Sequence, residues 1–177
     1  ICHCLVGSEM CIRDSKGGYI EKDGKDGKGT YSRTKILGEF EDNFNIILRT
    51  SIIGPELKKD GEGIFHWFMK QQGDIYGFSR VIWSGVTTIE LAKAIKWAID
   101  KKITGTYHVT NNSTISKYDL LKLFQKHVKK DININLLDEE ILDRSLIDTR
   151  LLINYKIPSY DRMIADLVSL IGNNKSL

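Results

Sequence analysis

Helix-period segments and short apolar runs alternate along the chain. Phe44 to Thr50 contains Ile46-Ile47-Leu48, a continuous apolar run of the kind that forms a buried strand. Gly105 to Val109 predicts a second short strand. Ile132 to Leu136 alternates apolar and polar positions, which predicts a strand at a sheet edge. Residues 74–83 are mixed and predict extended chain. Helical spacing is found at Ile36, Leu37 and Phe40, which predicts a helix from Thr30 to about Asn43 with Gly38 as a mild interruption. Ile64, Phe65, Trp67 and Phe68 predict a helix over Gly63–Gln71. Leu91, Ala94, Ile95 and Ala98 form a stripe that predicts a helix capped by Thr88 and ending near Lys101. Leu120, Leu121, Phe124 and Val128 predict another, capped by Ser116. Arg144–Asn154 and Tyr160–Ile171 are expected to be helical. Gly54-Pro55 and the Gly-, Lys- and Asp-rich stretch 16–29 read as breaks and loop. Helices alternating with short strands predict an α/β fold.

Bulk properties narrow the function classes. The chain has 177 residues, an apolar fraction of 41%, a charged fraction of 28% and a net charge of +3. These are ordinary values for a globular protein. The basic residues are scattered and form no dense stripe, which argues against nucleic acid as a partner. No apolar run is long enough for a membrane span, and the first residues lack the basic-then-apolar pattern of a signal peptide. All three cysteines, Cys2, Cys4 and Cys11, fall in the first eleven positions. Cys2-His3-Cys4 has no second ligand pair, so no metal site is expected. Leu5 to Ser15 resembles the translation of a sequencing adapter, which implies that residues 1–15 are a non-native leader. Without them the chain carries 25 basic and 21 acidic residues, and its class is unchanged.

One pattern carries chemistry. Tyr31-Ser32-Arg33-Thr34-Lys35 sets a phenol and an ammonium four residues apart, on one face of a helix. A fixed cation favours phenolate over phenol and lowers the tyrosine pKa. Such a phenol exchanges a proton with a substrate oxygen near neutral pH. Spacing alone is weak evidence, because Tyr118-Asp119-Leu120-Leu121-Lys122 repeats it. The plain reading of either pair is a tyrosine resting on a helix surface beside a solvated lysine. No Gly-x-Gly-x-x-Gly stands after a strand, so the phosphate-cradling turn of a dinucleotide fold is not in this sequence.

The residues downstream of the two pairs separate them. Tyr31 leads to Ile36-Leu37-Gly38-Glu39, then to a buried strand and Arg49-Thr50-Ser51-Ile52-Ile53-Gly54-Pro55. In this the chain resembles the extended short-chain dehydrogenase/reductases, specifically the dTDP-4-dehydrorhamnose reductase branch and its sugar-nucleotide relatives. Trp83-Ser84-Gly85-Val86-Thr87-Thr88, Gly105-Thr106-Tyr107-His108-Val109, Ile115-Ser116-Lys117-Tyr118, Asp143-Arg144-Ser145-Leu146 and Ile157-Pro158-Ser159-Tyr160 extend the resemblance from about Lys16 to Leu170. It implies the C-terminal part of a Rossmann-like, doubly wound parallel sheet plus a smaller α/β substrate-binding subdomain. Residues 16–60 would be the remnant of the NAD(P)-binding domain. Residues 61–177 would be mainly the substrate-binding subdomain, with some segments returning to the sheet.

The resemblance also implies roles. Tyr31 is the expected proton donor and Lys35 its partner, both beside the cofactor. Thr50, Ser51 and Ile52 lie near NAD(P)H, and Ser51 near the sugar as well. Trp83 and Arg144 fall on the substrate side. An arginine at 144 suits a diphosphate or a base edge, and an ion pair with Asp143 or Asp148 explains it equally well. Trp83 could stack on a base or sugar, although core packing is the commoner use. Tyr118, His66 and His108 are expected to be structural. The implied function is NAD(P)-dependent reduction of a 4-keto nucleotide sugar for surface-polysaccharide precursors, in a cytoplasmic parent protein that is a possible homodimer. The glycine-rich turn and the Ser/Thr that assists the tyrosine are missing, so a truncated chain without turnover of its own is expected. An epimerase or dehydratase of the same superfamily uses the same Tyr and Lys, and a non-catalytic nucleotide-binding regulator keeps the same fold.

Overall fold

The computed structural model describes residues 4–8, 17–25, 30–39, 42, 44–56, 58, 61–150 and 155–173. The strand β2 (Ile46–Thr50) organises the first layer, and all five of its residues are buried. It runs parallel to β1 (Cys4–Ser8) on one side and β7 (Gly105–His108) on the other. Cys4 pairs with Ile46 and Ser8 with Thr50, while Ile46 pairs with Gly105 and Arg49 with His108. Burial of consecutive residues means that both faces of the strand are covered, as in the interior of a parallel sheet, which explains its unbroken apolar start. The segment expected to be leader thus supplies a strand to this sheet.

Between β1 and β2 lies the helix α1 (Thr30–Leu37). It stops at Gly38 rather than near Asn43, since Gly38 and Glu39 close its last turn through bonds to Lys35 and Ile36 carbonyls. After β2 the chain makes β3 (Ile52–Ile53), α2 (Ile64–Lys70), β4 (Asp74–Phe78), β5 (Val81–Trp83) and β6 (Val86–Thr87). Then come α3 (Thr88–Asp100), β7, β8 (Ile115–Ser116), α4 (Lys117–Val128), β9 (Asn133–Leu137), β10 (Leu142–Asp143) and α5 (Tyr160–Asn173). Parallel pairing joins β4 to β9, β3 to β6 and β5 to β10, and β5 also pairs antiparallel with β8. Parallel strands with helical crossovers make this an α/β fold.

Helix ends are set by their caps. Thr87 is extended and its hydroxyl accepts from the Glu90 amide, so the cap of α3 is Thr87 and not Thr88. Ser116 caps α4 by accepting from the Asp119 amide at 3.0 Å. The core gathers the predicted stripes of α3 and α4 and takes a third from α5. Leu91, Ala94 and Ala98 of α3 are buried, as are Leu120, Leu121 and Phe124 of α4 and Met163, Ile164 and Leu167 of α5. Phe124 meets Phe65 edge-on with ring centres 5.1 Å apart.

The helix expected over Arg144–Asn154 is absent as far as Arg150, and residues 151–154 lie outside the described residues. The backbone of this stretch is committed elsewhere. Tyr19 donates to the Ser145 carbonyl at 2.9 Å, and Ile147 donates to the Tyr19 carbonyl at 2.8 Å. Asp143 accepts from the Ser145 amide at 2.9 Å and Asp148 from the Arg150 amide at 3.0 Å. Such local aspartate turns compete with helical bonding.

Close backbone approach fixes one glycine. A Cβ on Gly85 would lie 2.2 Å from the Ser51 carbonyl oxygen, at the join of β3 and β6. Gly172, near the end of α5, has nothing within 4 Å of that position. Gly85→Ala should therefore lower stability by about 1–3 kcal/mol, while Gly172→Ala should leave it unchanged or slightly higher. Urea unfolding midpoints of the two variants check the contrast.

Candidate functional site

The site is built where β2 ends. Thr50 is fully buried, and its hydroxyl donates to the Val109 carbonyl at 2.7 Å. That bond turns it toward the chain beyond β7 rather than into open space. Ser51 is buried too, and its carbonyl accepts the Val86 amide at 3.0 Å. Ser51 and Ile52 both line a cleft of about 440 Å³. Trp67 of α2, Tyr76 of β4, Trp83 of β5 and Lys117 at the start of α4 complete the walls.

This cleft joins three of the predicted residues, Ser51, Ile52 and Trp83. Trp83 is 5% exposed and packs on Tyr160 with ring centres 5.7 Å apart, so it serves the core and lends an edge to the cleft. Arg144 is half-buried and does not line the cleft. Tyr31 and Lys35 share α1 at four-residue spacing. Lys35 is half-buried, and the side chain of Tyr31 lies outside the described residues. The rival pair is accounted for by packing, with the Lys122 ammonium 5.5 Å from the centre of the Tyr118 ring. His66 is half-buried in α2, and a ring nitrogen of buried His108 lies 3.0 Å from the Ile147 carbonyl.

Trp67 and Tyr76 are cleft residues that the pattern did not single out. Each carried a signal. Four large apolar side chains within Ile64–Phe68 cannot share one helix face, and Phe65 and Phe68 take the buried one. In β4, Ile75 and Gly77 point inward, which leaves Tyr76 60% exposed. Gly77 lets α4 approach, because a Cβ there would lie 2.8 Å from the Tyr118 backbone.

A polar network lies beside the strand end. Arg49 is 1% exposed, and its guanidinium donates to both Glu39 oxygens at 3.0 and 2.7 Å. It also donates to the Glu21 carbonyl at 3.2 Å, and Lys25 reaches Glu39 at 2.6 Å. Burial works against a charged Glu39, yet the bonds and charges of Arg49 and Lys25 outweigh it and hold the carboxyl below its ordinary range. The Glu21 carboxylate is buried and accepts from the His108 amide at 3.1 Å, the Thr149 amide at 3.2 Å and the Thr149 hydroxyl at 2.5 Å. Burial pushes its pKa up, but these bonds and the nearby His108 ring win and bring it from 4.5 down to about 2. Glu21 and Lys25 were hidden in a stretch whose composition reads as solvated loop.

Neither a family model nor a curated protein matches the sequence. Solved structures do match. A dTDP-4-dehydrorhamnose reductase from Clostridium acetobutylicum superposes with a TM-score of 0.78 at 18% identity, over 96% of this chain and 65% of that one. The corresponding reductase from Bacillus anthracis, solved in complex with NADP, gives 0.78 at 19% identity, over 94% of this chain and 64% of that one. The fold is that of the nucleotide-sugar reductases. It is shared with a UDP-N-acetylglucosamine 4-epimerase from Methanobrevibacter ruminantium, with a TM-score of 0.73 at 16% identity, over 97% of this chain and 63% of that one. The chain thus spans just under two-thirds of the length of these structures. Its sheet and helices take the reductase-like arrangement expected for the C-terminal part of a Rossmann-like fold. No described helix is long and apolar enough to cross a membrane, and the described residues contain no group of three or more potential metal ligands.

Acid should reveal the network. A carboxyl whose folded pKa lies below its unfolded value stabilises the fold above the unfolded value. That contribution is lost as pH falls from about 4.5 toward 2. Glu21→Gln should lower stability at neutral pH by on the order of 2–3 kcal/mol. Its deficit relative to the unaltered protein should shrink across that window. Denaturant midpoints of both proteins from pH 7 downward check this, and a constant deficit would remove Glu21 as the titrating group.

Proposed function

We propose that this chain is part of an NAD(P)-dependent oxidoreductase that reduces a 4-keto nucleotide sugar, in the manner of a dTDP-4-dehydrorhamnose reductase. One observation carries the reading. Of the two Tyr-x-x-x-Lys pairs, Tyr31 and Lys35 stand on the helix that leads through Gly38-Glu39 into a strand ending at an aromatic-walled cleft. The other pair is packed against itself and against β4.

The donor set suits a nicotinamide ribose and its neighbouring sugar. Lys35 is half-buried, as a residue reaching ribose hydroxyls requires, and Thr50, Ser51 and Ile52 would flank the ring. A bound NAD(P)H supplies the hydride. The rest falls to the chain. The Lys35 charge favours the phenolate form of Tyr31, which makes its hydroxyl a ready proton donor. Tyr31 gives that proton to the substrate carbonyl oxygen. Ser51 orients the sugar, and Trp83 with the exposed aromatics Trp67 and Tyr76 gives planar surface for a base. Arg144 is assigned to the diphosphate. A homodimeric assembly, a cytoplasmic location and a role in surface-polysaccharide precursor synthesis belong to the same proposal. The likeness to a 4-epimerase supports a second reading, in which the same pair acts without net consumption of reduced cofactor.

The full-length gene product, mixed with NADPH and a dTDP-4-keto sugar, should consume the cofactor stoichiometrically with product. Interconversion of a nucleotide sugar without net consumption would favour the epimerase. Tyr31→Phe should cut turnover by about 100-fold or more while NADPH binding stays within a few-fold. Unchanged turnover would strip Tyr31 of its role.

A further inference from the structure

The helix that carries Tyr31 and Lys35 is short and keeps its described side chains near the surface. None of its described side chains is buried, and Leu37 in its last turn is 75% exposed. An eight-residue helix without an apolar face cannot fix its own position against a sheet. Its anchor is electrostatic and lies just past its end. Glu39 is joined to the last turn, because its amide donates to the Ile36 carbonyl at 3.2 Å and that of Gly38 to the Lys35 carbonyl at 3.1 Å. The Glu39 carboxylate is 5% exposed and takes the two-pronged bond from Arg49. Arg49 is one residue before Thr50 and two before Ser51, inside a strand held by neighbours on both sides.

A planar guanidinium bound through two parallel bonds fixes angle as well as distance, which a single ammonium does not. At 1.5 Å per residue, Tyr31 lies about 12 Å up the axis from Glu39. A small tilt at the anchored end therefore moves the tyrosine by a large fraction of a bond length. We propose that Glu39 and Arg49 are positioning residues, whose ion pair sets the Tyr31–Lys35 helix at one distance and angle from the Thr50–Ile52 segment. The catalytic part of this inference rests on the function proposed above. Lys25 also touches Glu39 but approaches from the loop side, at 22% exposure, and adds charge rather than direction.

The test compares Glu39→Gln, Arg49→Lys and Lys25→Ala in this chain and in the full-length gene product. Amide hydrogen exchange on the chain reads the clamp. Glu39→Gln should speed exchange of the α1 amides by about tenfold or more, with amides of β2, β7 and α3 to α5 within about twofold of the unaltered chain. Arg49→Lys keeps the charge and loses the fork, and should give a smaller change at the same amides. Lys25→Ala should leave α1 within about twofold. In the full-length protein Glu39→Gln should lower kcat by about tenfold, with KM for the nucleotide sugar within about twofold and the pH profile unshifted. Faster exchange throughout the chain, unaltered exchange at α1, or faster exchange at α1 with normal kcat would each overturn the proposal. So would failure of both pair variants to fold, since the pair would then be a requirement of the fold as a whole. A full-length protein without reductase turnover would sink the functional reading alone, and the exchange contrast would still decide the clamp.

Discussion

A charge buried in the central strand is the constraint around which the loop and the helix end beside it are arranged. Arg49 lies 1% exposed between two parallel neighbours, where an unpaired guanidinium would be strongly destabilising. It must be given acceptors, and these come from the segment that precedes the strand. Glu39 brings the end of α1, the Glu21 carbonyl brings the loop before α1, and Lys25 is drawn in to balance the shared carboxylate. Glu21 then commits its own carboxylate to His108 of β7 and Thr149 beyond β10. One strand residue thereby ties the loop, the helix end, the neighbouring strand and the Thr149 segment into one network. Each member steadies its neighbours, so the loss of one partner costs more than its own bond and is felt first at the groups it touched.

The other side of β2 obeys the opposite rule. Ile46 and Leu48 join the apolar core with Phe65, Leu91 and Leu120. Here stability comes from burial and close packing, and the backbone itself sets the limits, as at Gly85 against Ser51 and Gly77 against Tyr118. The division leaves the strand end with a rigid apolar body on one side and a fixed set of charges on the other.

How much of this was legible from sequence depended on whether the signal was local. Ile46-Ile47-Leu48 and the stripes of α3 and α4 are local patterns, and each named its element and its buried residues, while for α5 only the helix itself was read. The cap of α3 was one residue off, because two adjacent threonines offer the same hydroxyl and only backbone conformation chooses between them. Arg144–Arg150 was misread as helix because, besides its local aspartate turns, it pairs with Tyr19, more than a hundred residues earlier. The same distance hid Glu21, which looks solvated in a run of Lys, Asp and Gly until Thr149 and His108 are brought to it. Ser51, Ile52 and Trp83, which the cleft brings together, fall in recurring local words. Trp67, Tyr76 and Lys117 meet only through the tertiary fold.

Low identity with a shared fold is consistent with this division. At 16–19% identity most side chains differ from those of the matched structures, while the chain trace superposes at TM-scores of 0.73 to 0.78. Apolar stripes tolerate exchange among residues of similar volume. Close backbone approaches and buried ion pairs tolerate far less, because their alternatives are a clash or an unpaired charge. In parallel α/β sheets ligands gather beyond the carboxyl ends of the strands. Here that end is the Thr50–Ile52 segment, one residue past the buried arginine. The group least free to change therefore sits next to the segment where binding is expected. The proposed proton transfer, which requires a helix and a strand end in fixed relation, would take that relation from the ion pair that burial of Arg49 demands.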